Sequence, residues 1–142
     1  MVLFSACLLG VRCRYDGCDK RNEALIAKLK DASVLPVCPE ELGGLSTPRP
    51  PAQFVGGDGR AVLAGRARLV NLKGDDVTEQ YLRGAREVLA LAERHDISEA
   101  YLKDFSPACG LTEVTVDGER IEGVGVCAAA LTEAGLTLYA VR

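Results

Sequence analysis

The chain has 142 residues, 48% of them hydrophobic and 26% charged, which is ordinary globular composition and a length that suits one hydrophobic core. Its 17 Lys and Arg against 20 Asp and Glu leave a net charge of −3, so there is no global basic field for a nucleic-acid backbone, although Arg12, Arg14, Lys20 and Arg21 crowd one stretch and could hold a single phosphate. No apolar run approaches the ~20 residues of a membrane helix, and residues 1–142 are read as one domain.

Val2–Ala6 is a short apolar run with the pattern of a buried strand, and it ends at Cys7. Phe4-Ser5-Ala6-Cys7 faintly resembles a lipoprotein cleavage box, but only six residues precede the cysteine and none is basic. No signal peptide is expected on that ground, and the expected location is cytoplasmic. Leu8–Gly17 carries loop residues. Asn22 is placed to cap a helix over Glu23–Leu29, and Ser33–Val37 is a second apolar run, ending at Cys38-Pro39-Glu40-Glu41. Gly43-Gly44 and Pro48-Arg49-Pro50-Pro51 read as a rigid loop over a site. Val55–Val70 reads as a hairpin around Gly56-Gly57-Asp58-Gly59. A long helix is expected from Asp76-Val77-Thr78 to about His95, with Tyr81, Val88, Leu89 and Leu91 on its apolar face.

Ile97–Leu102 is a third strand candidate and leads into Lys103-Asp104-Phe105-Ser106-Pro107-Ala108-Cys109-Gly110. Val114–Gly123 reads as loop or hairpin, Val124–Glu133 as a helix closed by Gly135, and Leu136–Val141 as a last strand. Strands alternating with helices point to a single-domain, three-layer α/β fold with a mostly parallel sheet. Ligands of such sheets sit beyond the carboxyl ends of the strands.

Cys7, Cys38 and Cys109 each lie just past the end of an expected strand. Six cysteines in a reducing compartment are not read as three disulfides. Thiolates are soft ligands for iron–sulfur clusters, zinc or copper(I). No close C-x2–4-C pair of the structural-zinc kind is present. From placement alone, unconnected buried or loop thiols remain the default. Glu40 and Glu41 follow Cys38 and are candidates for a general acid or base; a solvated pair opening a turn is the plainer reading. Ser106 shares a loop with Cys109, where it could hold substrate or water, or merely brace the loop. Lys103 and Asp104 read as a surface pair, and Tyr15 and Asp16 as possible pocket residues. His95 reads as a helix-end group. Arg12, Arg14 and Arg49 could favour a phosphorylated substrate or be solvated surface charges.

Taken in order, Ser5-Ala6-Cys7-Leu8-Leu9-Gly10, Cys13-Arg14-Tyr15-Asp16-Gly17, Cys38-Pro39-Glu40, Gly43-Gly44-Leu45, Pro48-Arg49-Pro50, Asp76-Val77-Thr78 and Ser106-Pro107-Ala108-Cys109-Gly110 resemble the family catalogued as domain of unknown function 523, which includes a bacterial thiouracil desulfurase. The resemblance runs over almost the whole chain. It implies a Rossmann-like fold and a [4Fe-4S] cluster held by Cys7, Cys38 and Cys109, with one iron open. The implied activity is non-redox desulfuration of a thiolated pyrimidine base, nucleoside or nucleotide, in which the open iron takes the thiocarbonyl sulfur and water replaces it at carbon. Glu40, or Glu41 beside it, would be the assisting carboxylate and Ser106 the assisting hydroxyl. Cys13, Cys18 and Cys127 then become structural or incidental thiols. Ala108 stands where such sequences often have a second serine, and Val116-Asp117-Gly118 replaces a more usual tyrosine-containing turn. Two other readings share these cysteines: a non-catalytic carrier or sensor of a cluster or sulfide, and a closed structural zinc site of Cys7, Cys38, Cys109 and Cys13. The expected partner is a small thiolated pyrimidine, with no membrane and no strong nucleic-acid signal; the sequence carries no expectation of assembly state.

Overall fold

The apolar N-terminal run forms Val2–Ser5 (β1), and its side chains alternate between two faces: Leu3 enters the larger core and Phe4 a smaller one. In the computed structural model, which describes residues 1–142, a 3-10 turn over Ala6–Leu9 follows. Then come Glu23–Lys28 (α1), Val34–Val37 (β2), Pro39–Leu42 (α2), Ala52–Val55 (β3), Gly59–Leu63 (α3) and Arg68–Asn71 (β4). Thr78–Arg94 (α4), Glu99–Lys103 (β5), Glu113–Val116 (β6), Glu119–Glu122 (β7), Val126–Glu133 (α5) and Thr137–Val141 (β8) complete the chain.

The first sheet has the order β2-β1-β5-β8 and is parallel throughout. Its large-core face carries Leu3, Ala100 and Leu102 beneath α4 and α5. On the opposite face Phe4, Tyr101 and Tyr139 stack in a row across β1, β5 and β8, with ring centroids 5.6 and 4.8 Å apart. The Asn22 side chain accepts from the Leu25 amide and caps α1, as its position predicts. His95 ends α4, and Gly135, with φ +91°, lies just past α5 and takes the left-handed turn there. No helix is long and apolar enough to cross a membrane.

A second sheet, of order β4-β3-β6-β7, joins through the β3–β6 pair two segments that read separately in the sequence, Val55–Val70 as a hairpin and Val114–Gly123 as loop or hairpin, the latter forming the antiparallel β6–β7 pair. β3 and β4 are antiparallel, as a hairpin over Val55–Val70 requires. The connection, however, is the helix α3 and not a tight turn. Asp58 starts that helix by accepting from the amides of Arg60 and Ala61, and its other oxygen accepts from Val124 N at 3.0 Å. The Gly56-Gly57-Asp58-Gly59 run is therefore a helix entry that docks against the start of α5, where a Cβ on Gly59 would lie 2.3 Å from Gly125 O.

Two close approaches fix the elements around the later site. Helices α2 and α4 cross at paired glycines: a Cβ on Gly84 would fall 2.0 Å from Pro39 O, and one on Gly43 would fall 1.9 Å from Gln80 O. The loop after β5 is fixed by Asp104. This residue is 1% exposed and is no surface group, which corrects the expectation of a surface Lys103–Asp104 pair. Asp104 Oδ1 accepts from the amides of Phe105 (2.9 Å), Leu111 (2.8 Å) and Thr112 (3.0 Å), while Oδ2 accepts the Thr112 hydroxyl. The carboxylate can be buried because the loop folds its own donors around it. Phe105, held by one of these bonds, has φ +72°, a left-handed conformation unusual for a bulky side chain.

Gly84→Ala forces two backbones apart and is expected to cost about 1–3 kcal/mol, read as a lower denaturation midpoint. Asp104→Asn is expected to cost about 2 kcal/mol by weakening bonds to a charged acceptor. Burial pushes the Asp104 pKa up, but the Thr112 hydroxyl and the amides of Leu111, Thr112 and Phe105 outweigh it and hold the carboxyl below its usual range. Its stabilisation is thus complete above the unfolded value of about 3.9 and is lost as pH falls through the lower folded value. Denaturant titrations of both proteins should show the Asp104→Asn deficit at pH 7 and its shrinkage as the pH drops below about 4.

Candidate functional site

The carboxyl ends of β2, β1 and β5 lie side by side in the first sheet, and each feeds one thiol into a common cavity. Cys7 sits in the 3-10 turn after β1, Cys38 at the junction of β2 and α2, and Cys109 in the Asp104–Thr112 loop after β5. The cavity is about 450 Å³, within the range of small-molecule sites. Its floor includes Ser5, Cys7, Cys13, Cys38, Glu40, Ser106 and Cys109. Thr115 of β6 and Arg120 of β7 line it from the second sheet.

Glu40 is held from two sides. Arg49 Nη2 lies 3.1 Å from its Oε1, and the buried Tyr81 hydroxyl donates to its Oε2 at 2.5 Å. The glycine crossing of α2 and α4 allows this, since it brings the first turn of α2 against Tyr81. Burial, and then the neighbouring Glu40 charge, push the Tyr81 phenol well above its ordinary value, so it serves as a donor at every working pH. Arg49 is 8% exposed and also donates to the carbonyls of Cys13 (3.0 Å) and Ser46 (3.2 Å) and to Thr47 Oγ1 (3.0 Å). It is thus neither a solvated charge nor a free phosphate ligand, which corrects both sequence readings of that residue. Glu41 is exposed and accepts from Thr47 Oγ1 at 2.6 Å. Between the two carboxylates, Glu40 is the one facing the cavity.

Ser106 Oγ accepts from Cys109 N at 2.7 Å, so it does brace the loop, and the same hydroxyl lines the cavity. Ser5 Oγ accepts from Lys103 N at 2.9 Å, tying β1 to the end of β5 beneath Cys109. Burial raises the Cys109 thiol to about 12, with the Ser5 and Ser106 hydroxyls pulling it down in part. For Cys13, contact with Cys38 lowers the value, but contact with Cys7 and burial raise it more, to about 11. The Cys13 contact and burial raise Cys38 further still. These thiols are neutral at pH 7 in the metal-free protein, and a metal must displace their protons.

Lys103 is half-buried at the cavity wall, where burial, then Arg14 and Lys20, lower its pKa. With Arg120 these make four cations around the opening, joined by the rings of Tyr15 and Phe105. Arg14 lies 5.7 Å from the Tyr15 ring centroid and Arg120 4.7 Å from that of Phe105. Arg12 is exposed and off the cavity, as is Asp16, whose carboxylate lies 3.9 Å from Arg14. Cys18 is exposed and Cys127 is packed inside α5. Ala108 is buried outside the cavity lining, so a serine there would meet the core.

Sequence reasoning missed Lys103, Arg120 and Tyr81 as cavity or site residues. Lys103 could have been found by the strand-end rule that picked out the cysteines, since it is the last residue of β5. Cys13 enters the sequence reading only as a fourth ligand of the zinc alternative and is otherwise set aside as structural or incidental; the loop geometry brings it beside Cys38. A closed zinc site of Cys7, Cys13, Cys38 and Cys109 is not what the structure forms. The one set of three donors that lies within 4.8 Å of one another is Cys13, Cys38 and Glu41.

Three comparisons bear on this arrangement. The family model described as 2-thiouracil desulfurase matches residues 2–141. The Bacillus subtilis (strain 168) protein YbbK is 44% identical over 138 residues, which is 95% of this chain and 91% of that protein. The solved structure of the [4Fe-4S]-dependent thiouracil desulfidase TudS superposes with a TM-score of 0.83 at 35% identity, covering 98% of this chain and 89% of that one. Fold, cavity and family model agree along the full length of the sequence, and the chain belongs to the 2-thiouracil desulfurase family.

Proposed function

We propose that this protein removes sulfur from a thiolated pyrimidine without net redox chemistry, and that Cys7, Cys38 and Cys109 hold a [4Fe-4S] cluster for the purpose. The observation that carries the reading is the delivery of three thiols, from three adjacent parallel strands, into one cavity that also contains Glu40 and Ser106. The donor set fits the group: thiols are the usual cluster ligands, and these three do not converge tightly enough for a single ion. When bound, the cluster would supply a Lewis-acidic iron with an affinity for thiocarbonyl sulfur.

The protein's own groups supply the rest. Glu40, pinned by Arg49 and Tyr81, has lone pairs left on both oxygens and would take a proton from the attacking water. Ser106, its oxygen fixed by the Cys109 amide, would direct its proton toward the substrate. The exposed Tyr15 ring lines the cavity and offers a face for a pyrimidine. Arg14, Lys20, Lys103 and Arg120 favour an anionic substrate, and so a nucleotide over a free base.

Anaerobically reconstituted protein is expected to release sulfide from 2-thiouracil or a 4-thiouridine compound. Glu40→Gln should lower kcat by about 100-fold or more, with the visible absorbance of the cluster retained; Ser106→Ala should lower turnover with the same spectrum. A fully loaded protein with no turnover on any thiolated pyrimidine would overturn the assignment. Arg14→Ala should raise KM for a 4-thiouridine 5′-monophosphate by about tenfold, the weight of one charge-assisted hydrogen bond, and leave KM for the free base unchanged.

A further inference from the structure

Cys13 has no part in the function just described, yet it is one of the most constrained residues of the cavity. Its side chain is 3% exposed, in the small core with Phe4, Ala6, Cys7 and Leu8. Its carbonyl accepts from Arg49 Nη2 at 3.0 Å and from the Cys38 thiol at 3.7 Å. The Cys13 sulfur, the Cys38 sulfur and a Glu41 carboxylate oxygen all lie within 4.8 Å of one another.

The donors come from two parts of the chain, Cys13 from the loop after β1 and Cys38 and Glu41 from the entry and first turn of α2. Cys13 is fixed through its backbone, Cys38 by the turn from β2 into α2, and Glu41 by the Thr47 hydroxyl at 2.6 Å. A cation therefore meets two cysteines already fixed by the fold and a carboxylate held by one hydroxyl. Zn–S bonds are about 2.3 Å and Zn–O bonds about 2.0–2.2 Å, so one ion at the centre reaches all three with small side-chain adjustments. Two sulfurs and one carboxylate suit borderline-soft ions such as Zn2+ and Fe2+, and disfavour Mg2+ or Ca2+.

We propose that Cys13, Cys38 and Glu41 form a mononuclear site for a divalent first-row cation in the cluster-free protein, and that this site and the cluster exclude one another because both need Cys38. The exclusion rests on the cluster ligands proposed above; the mononuclear site does not. In the cluster-free chain this site holds a single iron or zinc ion beside the cavity, and committing Cys38 to a cluster dismantles it.

The test uses reduced, cluster-free protein under nitrogen, with Co2+ as the probe. The expected result is a sulfur-to-cobalt charge-transfer band that saturates with a single ion per chain and is displaced by Zn2+. Cys13→Ser should weaken Co2+ binding by more than about 100-fold, since even outer-shell substitutions cost about 10–100-fold in metal affinity. Cys109→Ser, which removes a thiol outside the trio, should leave the band and its affinity unchanged. Glu41→Gln changes an exposed side chain and provides the second variant should Cys13→Ser fail to fold; it should weaken binding with the charge-transfer band retained. Zinc-loaded wild-type protein should reconstitute a cluster more slowly than zinc-treated Cys13→Ser protein, read from the visible absorbance. Loss of the band in Cys109→Ser, wild-type affinity in both Cys13→Ser and Glu41→Gln, or Co2+ binding without a sulfur band would each overturn the proposal. Charge transfer without thiouracil turnover sinks only the desulfurase reading, and turnover without charge transfer sinks only this one.

Discussion

The ion pair between Arg49 and Glu40 is the constraint on which the cavity depends. Arg49 is the only buried arginine, and its four side-chain contacts join three pieces of chain: α2 through Glu40, the Cys13 loop through a carbonyl, and its own turn through Ser46 and Thr47. Its backbone amide also donates to Tyr15 O at 2.8 Å. A charge this deep is tolerated only when it is paired and its donors are used. One guanidinium nitrogen, Nε, remains without a protein partner. The arrangement is therefore a clamp between β2–α2 and the loop after β1, and it keeps Cys38, Cys13 and Glu40 at fixed separation. A lysine in this place could not reproduce the fork.

Two other polar anchors complete the frame by the same logic. Asp104 gathers the donors of its own loop, and Asp58 ties α3 to the entry of α5. The start of α5 in turn carries the Cys109 loop, with Gly125 N donating to Gly110 O and Val126 N to Pro107 O. The absence of a side chain at Gly125 allows that contact, since a Cβ there would lie 2.4 Å from the Ala108 backbone. The cavity walls are thus set by buried charges and glycine contacts, while the apolar cores lie behind them.

The parts legible in the sequence were those that depend on local pattern. Apolar runs ending at Cys7 and Cys38 and just before Lys103 gave the strand ends, Asn22 gave a helix start, and the heptad-like spacing around Tyr81 and Val88 gave α4. What escaped was set by contacts between distant residues. Glu40 was legible as a candidate carboxylate beside Cys38, but its pairing with Arg49 and Tyr81, from other parts of the chain, was not. The Lys103-Asp104 pair has the look of a solvated dipeptide, yet the donors that bury Asp104 come from Leu111 and Thr112, seven and eight residues on. The helix α3 is only five residues long and begins in turn-forming residues. The second sheet is made of four-residue strands; β6 alternates buried Val114 and Val116, but β7 is exposed along its whole length and carries no apolar period, and the β3–β6 pairing that makes one sheet joins residues far apart in sequence.

The placement of β1 between β2 and β5 sets an order of events along the growing polypeptide. β1 and β2 can pair once about a quarter of the chain is available, joined through α1 by a short crossover. The other flank of β1 stays open until β5 exists, and Ser5 waits for the amide of Lys103, 98 positions away. Such long-range closure is slow, because the entropy of a large loop must be lost before the contact forms. The cavity floor is therefore among the last features to assemble, and during synthesis Cys7 and Cys38 stand beside an unfilled strand edge well before Cys109 arrives.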